Sequence, residues 1–146
     1  MKKNAYTLIE VLIVVVIVSI LAGLSVIYGT KPLEAAKAKA ARAMLQTIYA
    51  AEKEYCIHSG SYTTLGTSST SGTLLGERYI DNPNDPDQRD WNYTTPAPGA
   101  STGPNDCGTF TVNARRRGSG HNAGQTISID QDGFYTCSSA IPEWGC

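Results

Sequence analysis

The sequence predicts an α+β chain: a long N-terminal helix whose second half packs on a small antiparallel β-sheet, within a loop-rich, disulfide-stapled head. Three observations carry this prediction. Residues 6–28 are apolar except for one acid, Glu10, and a few small or hydroxylated residues. Residues 29–56 mix alanine with charge in a helical idiom, and the last third of the chain turns to the two-residue alternation of strands. The implied division is a leader at 1–5, an apolar helix at 6–28, its amphipathic continuation at 29–56 and a globular head at 57–146.

The apolar run from Tyr6 to Tyr28 would span about 35 Å as a helix, enough to cross the hydrocarbon core of a bilayer. Its Val and Ile content is poor for a helix in water. In lipid that matters little, because backbone groups must be satisfied within the segment. Lys2 and Lys3 precede the run, so the positive-inside rule keeps the N-terminus cytoplasmic and exports the rest. A secretory signal would have a shorter apolar core and a cleavage site near Ala22-Gly23 or Ser25. A plain anchor explains the length but not Glu10, since an intramembrane acid carries an insertion cost.

Gly29 and Pro32 predict a kink or break at about 28–32, because Pro lacks the backbone donor and clashes with the preceding turn. Beyond it, Ala36, Ala40, Ala43, Ile48, Ala51 and Tyr55 recur at helical spacing as a narrow packing face. The two halves together predict one long, bent helix from Tyr6 to about Cys56. Residues 57–80 are polar, with Tyr62, Leu65, Leu74 and Leu75 as apolar anchors. The stretch 81–106 is dense in Pro, Asn, Asp and Gly and predicts turns. Phe110, Val112 and Ala114 then share one strand face. Ile127 and Ile129 point inward along a second strand, with Asp132-Gly133 as a type I′ hairpin signal. A meander of three or four strands against the second half of the helix follows.

Net charge is −1, from 12 Lys and Arg against 13 Asp and Glu. No global pull toward nucleic acid or anionic membrane follows from it. The one basic cluster, Ala114 to Gly118, has three arginines without interleaved aromatics. It reads as a strand end with solvated charges more readily than as a nucleic-acid site. His58 and Ser59 lie in no nucleophile-elbow context, and there is no phosphate-binding loop or dinucleotide fingerprint, so no enzyme is predicted. Cys56, Cys107, Cys137 and Cys146 form no CxxC pair, and His58 and His121 are not at zinc spacing. An even cysteine count in a loop-rich domain beyond an apolar segment predicts two disulfides in an oxidising compartment. Asp81, Asn84, Asp85, Asp87 and Asp90 gather oxygens of the kind calcium takes, although the spacing is not that of an EF-hand and the same residues make ordinary turns.

"AYTLIEVLIVV" at residues 5–15 resembles the N-terminus of type IV pilins and type II secretion pseudopilins. The match is Tyr6-Thr7-Leu8-Ile9-Glu10 leading an apolar run, behind a five-residue basic leader. It departs from the family pattern in having Ala5 where Gly is usual and Tyr6 where Phe is usual. The resemblance implies cleavage between Ala5 and Tyr6 by a prepilin peptidase, N-methylation of Tyr6, and a protruding hydrophobic half-helix. It also implies a precursor in the inner membrane and assembly, by pilus machinery, into a helical filament of identical subunits at the cell surface. Glu10 is then expected to set the register between neighbouring subunits. Two alternatives stand beside the pilin: a major pseudopilin of a type II secretion system, and a membrane-anchored binding domain that never polymerises. "RYIDNPNDPDQRDWNY" is similar to the segment of major pseudopilins that leads into a calcium loop. Pairing of Cys137 with Cys146 resembles the C-terminal disulfide-bounded loop of type IV pilins and leaves Cys56 for Cys107. Cys107 with Cys137 is the rival pairing.

Overall fold

The computed structural model describes residues 7–28, 30–66, 70–85, 90–100, 106–119, 122–139 and 144, without the side chains of 24–31. Two helices and four strands follow one another in the order α1 (Leu8–Tyr28), α2 (Thr30–Ser59), β1 (Trp91–Thr94), β2 (Thr111–Arg116), β3 (Thr126–Asp130) and β4 (Tyr135–Cys137). Helix is described on either side of Gly29, which lies outside the described residues together with the centre of the kink or break expected at 28–32; Pro32 is the third residue of α2. The far end of α2 reaches Ser59 rather than Cys56. Gly60 follows it with φ 76°, the left-handed conformation that closes helices at little cost to glycine.

One stripe of α2 faces the core: Ala38, Ala41, Leu45, Ile48, Ala51 and Glu52 are all buried. This corrects the face expected from the sequence. Ala36, Ala40 and Ala43 are not on it: none of them is among the buried residues of the core, and Tyr55 is only partly buried. Alanine sits comfortably on either side of a helix, so its spacing does not define the face. Leu45 and Ile48 do, because they are the large apolar side chains with nowhere else to go.

The sheet is antiparallel throughout and ordered β1-β2-β3-β4, so each strand pairs with its neighbour in sequence. Val112 faces Ile129 and Ala114 faces Ile127 across the β2–β3 ladder. All four are buried, together with Phe110. Strand β1 lies in a stretch whose composition predicts turns. Its Trp91 and Tyr93 alternate inward past exposed or half-buried neighbours, and they pair with Arg116 and Ala114. The β3–β4 turn also differs from expectation. Asp130 and Phe134 are joined by a backbone bond, leaving three residues in the loop, with Gly133 at φ 84°. A two-residue type I′ turn needs positive φ at both central positions. Here the left-handed position is Gly133, as in a type I turn closed by a glycine bulge. The Asp130 carboxylate accepts from the N–H groups of Asp132 and Phe134 and locks the loop.

Between helix and sheet runs a long connection. Tyr62, Leu65, Leu74 and Leu75 are buried and anchor it, as their placement in a polar stretch suggests. Cys56 is bonded to Cys107, with Cα atoms 5.9 Å apart, and ties the last turns of α2 to the approach to β2. The rival Cys107–Cys137 pairing is therefore not formed. Cys137 is itself in a disulfide, and its expected partner, Cys146, lies outside the described residues. Near the chain end the buried Trp144 packs edge-on against Trp91, ring centres 5.0 Å apart.

Candidate assembly site

Helix α1 opens with Thr7, whose carbonyl accepts from the N–H groups of Glu10 and Val11. Glu10 thus stands in the first helical turn, where a negative side chain suits the positive end of the helix dipole. From Leu8 to Leu21 the large apolar side chains are exposed on every face, none less than 49%. Glu10 is exposed among them. A helix that is apolar all round is suited to burial all round. No face of it is covered here. Ser19, the polar exception in the middle, turns its hydroxyl back onto the Val15 carbonyl and so presents no free donor.

Among the described residues no helix is long and apolar enough to cross a membrane. That statement takes in the side chains of α1 only as far as Gly23. The helix backbone continues to Tyr28, 21 residues in all, or about 31 Å at the α-helical rise. The expected processing residues, Ala5 and Tyr6, lie outside the described residues.

The other residues singled out from sequence are placed as follows. Asn84 is held by both ends of its amide, donating to the Tyr93 carbonyl and accepting from the Tyr93 N–H, each at 2.7 Å. It extends the edge of β1 as a strand partner would. Asp90 accepts from Arg116 at 2.9 Å and pairs with Lys37 at 3.1 Å. Burial alone would raise the Asp90 carboxyl. The Lys37 hydrogen bond and the charges of Arg116 and Lys37 outweigh it and hold the group below its ordinary value. Asp81 and Asp85 carry no such ion pair, and Asp87 lies outside the described residues. Among the described residues no three His, Cys, Asp or Glu side chains stand together as a metal site would require. Asn84 and Asp90 would have to give up their present partners to take a cation.

One group escaped the sequence reading altogether. Arg116, from the basic cluster, is turned inward with its side chain only 12% exposed. Its guanidinium grips Glu34 of α2 with two nitrogens, at 3.0 and 3.3 Å, and Asp90 with a third. The strand alternation was the available signal: Val112 and Ala114 face α2, so the next residue on that face is Arg116. Arg115 and Arg117 are exposed. The cluster is thus one structural arginine flanked by two solvated ones. His58 sits exposed in the last turn of α2, and His121 lies outside the described residues.

Comparison with known proteins yields one match. The family model of the prokaryotic N-terminal methylation motif matches residues 1–26. No curated protein and no solved structure matches the chain. The matched residues contain the Tyr6–Glu10 sequence and the apolar run that becomes most of α1. Residues 1–26 are therefore a prokaryotic N-terminal methylation motif, the signature of type IV pilins and pseudopilins.

Proposed function

We propose that this chain is a type IV pilin: a subunit made as an inner-membrane precursor, cut after Ala5 by prepilin peptidase, methylated on Tyr6, and polymerised into a surface filament. Its role is structural rather than catalytic. The observation that carries the reading is the methylation motif at residues 1–26 leading into a helix that is apolar on every face. Before assembly the bilayer covers that helix. In a filament, packing against identical helices replaces the lipid, with Ala22, Gly23 and Ser25 small enough to permit close approach.

Glu10 then has a specific task. Cleavage leaves a positive amine on Tyr6, and in the filament core an unpaired carboxylate is strongly unfavourable. Pairing of Glu10 with the Tyr6 amine of a neighbouring subunit fixes the axial register of otherwise uniform apolar helices, as one buried polar residue does in a coiled coil. The same motif serves a type II pseudopilin. Engagement of Asn84 and Asp90 within the head weighs against the calcium loop that would favour that alternative.

The test is electron microscopy of sheared cell surfaces, with intact-mass analysis of the subunit. Filaments built of a chain lacking residues 1–5 are expected. A mature chain starting after Ala22 or Ser25 would mean a secretory signal and end the pilin reading. Glu10→Ala should leave the chain cleaved and membrane-inserted but yield no filaments of the variant alone.

A further inference from the structure

Glu52 lies on the buried stripe of α2, one turn beyond Ile48, and is 0% exposed. Its Oε2 accepts the Thr63 N–H at 3.0 Å. Its Oε1 is buried with no hydrogen-bond partner. An acid in that position is an anomaly, since buried carboxylates are ordinarily paired.

Among the described residues no counter-charge is bonded to it. On α2, the neighbouring Lys53 turns its ammonium to the Tyr62 hydroxyl at 2.8 Å and to the rings of Tyr49, Tyr62 and Phe110. Glu54 and His58 are exposed. From the sheet, β2 and β3 turn Val112, Ala114, Ile127 and Ile129 inward. Asp132, at the β3–β4 turn, acts on Lys53 instead. From the connection come the Tyr62 hydroxyl, already bound to Lys53, and the Thr63 amide.

That amide belongs to residues 60–66, which are tied to the rest of the connection by the Thr63 hydroxyl donating to the Gly72 carbonyl at 2.6 Å and by the Leu74 and Leu75 N–H groups donating to the Thr64 and Leu65 carbonyls, each at 3.1 Å. Tyr62 N–H donates to the Cys107 carbonyl at 3.3 Å. Leu65 N–H donates to the Thr95 hydroxyl. The Cys56–Cys107 disulfide lies just before it on α2 and keeps any opening local.

We propose that Glu52 is a proton-linked clamp: its buried carboxyl holds the 60–66 segment against α2 while neutral and releases it on ionising, when the charge draws water into the site. Burial pushes the carboxyl up to about 7, with the Thr63 N–H pulling the other way. In an opened, solvated segment the group reverts toward its ordinary value of 4.5. The closed form therefore binds the extra proton. It is fully favoured below about pH 4.5 and loses ground as pH rises toward about 7.

The measurement is hydrogen exchange at the Thr63 amide of the full chain in detergent micelles, with rates divided by the intrinsic rate at each pH. From pH 5 to pH 8, Thr63 protection should fall by roughly 50- to 100-fold. At each pH the Val112 and Ile129 amides of the central ladder should stay more protected than Thr63, which marks the opening as local. In Glu52→Gln, which keeps the shape and removes the titration, Thr63 protection should change by less than about threefold. A flat wild-type profile, the same fall in the Gln variant, or Thr63 protection equal to that of Val112 and Ile129 would overturn the clamp. A carbon-13 titration of the wild-type Glu52 carboxyl tests the same point independently, since a midpoint near 4.5 would also refute it.

Discussion

Arg116 and Glu52 are two charged residues that the fold takes inside, and they are held by opposite arrangements. Arg116 has two carboxylates and two backbone carbonyls around it; Glu52 has one N–H. Removing a buried partner from a paired set leaves the others stranded. Arg116→Ala should thus cost about 2–3 kcal/mol in urea denaturation, below the roughly 3–5 kcal/mol of a fully buried pair because Glu34 and Asp90 keep some water. Arg115→Ala and Arg117→Ala should stay within about 0.5 kcal/mol. Glu52 predicts an unusual pH slope. Its folded pKa, about 7, lies above its ordinary 4.5, so the folded state binds the extra proton. From this group, head stability should fall by up to about 3 kcal/mol between pH 4.5 and 7. The Glu52→Gln variant should lack that slope, which urea titrations at pH 5 and 8 would show. Neither residue announces itself in the sequence. A charge reads as solvated by default, and only the alternation of β2 and the stripe of α2, once anchored by Val112 and Leu45, reveal which charges face inward.

The elements themselves were legible where side chains were large or the backbone special. The β2 and β3 strands show in Phe110, Val112, Ile127 and Ile129, whereas α2 runs past the end expected near Cys56 to Ser59. The register of α2 was not legible, because a helix so rich in alanine has several candidate faces and the choice is made by the sheet it meets. Strand β1 was hidden for a related reason. Four residues between Pro-rich turns carry too little periodicity, and Trp91 and Tyr93 gain their alternation only by pairing with β2. The corrected face can be checked by substitution. Ala41→Leu forces three carbons into a filled site and should destabilise by about 1–3 kcal/mol. Ala43→Leu, two residues on but off the buried stripe, should be close to neutral, as thermal melting of the two variants would show. At the same level, replacing Cys56 and Cys107 by Ser opens a loop of 51 residues' separation. On the chain-entropy model that should cost about 4 kcal/mol.

At the scale of the whole molecule, the chain joins a head with a completed core to a helix with none. Trp91, Leu45, Leu74, Ile127 and Trp144 are buried inside the head. Meanwhile Val15, Val16, Ile17 and Val18, successive residues about 100° apart around α1, are all about half exposed. The pattern was legible from sequence because an apolar run so long has no amphipathic face to hide. What would cover it was legible only through the Tyr6–Glu10 motif. The two kinds of cover predict different mutational profiles. A groove on one partner protein would shield a single face, so an acid introduced on the opposite face would be tolerated. On the proposed pilin reading a bilayer, and later a ring of neighbouring helices, surrounds the helix, so no face would be free. Each of Val15→Asp, Val16→Asp, Ile17→Asp and Val18→Asp should therefore impair membrane retention and filament yield to a similar degree. The insertion cost is roughly 2.5–3.5 kcal/mol for an acid at mid-helix. Carbonate extraction reports the membrane step and shearing of surface filaments reports assembly. If one of the four variants retained both while its neighbours lost them, α1 would be covered on one side only, and burial of the helix on every face would be overturned.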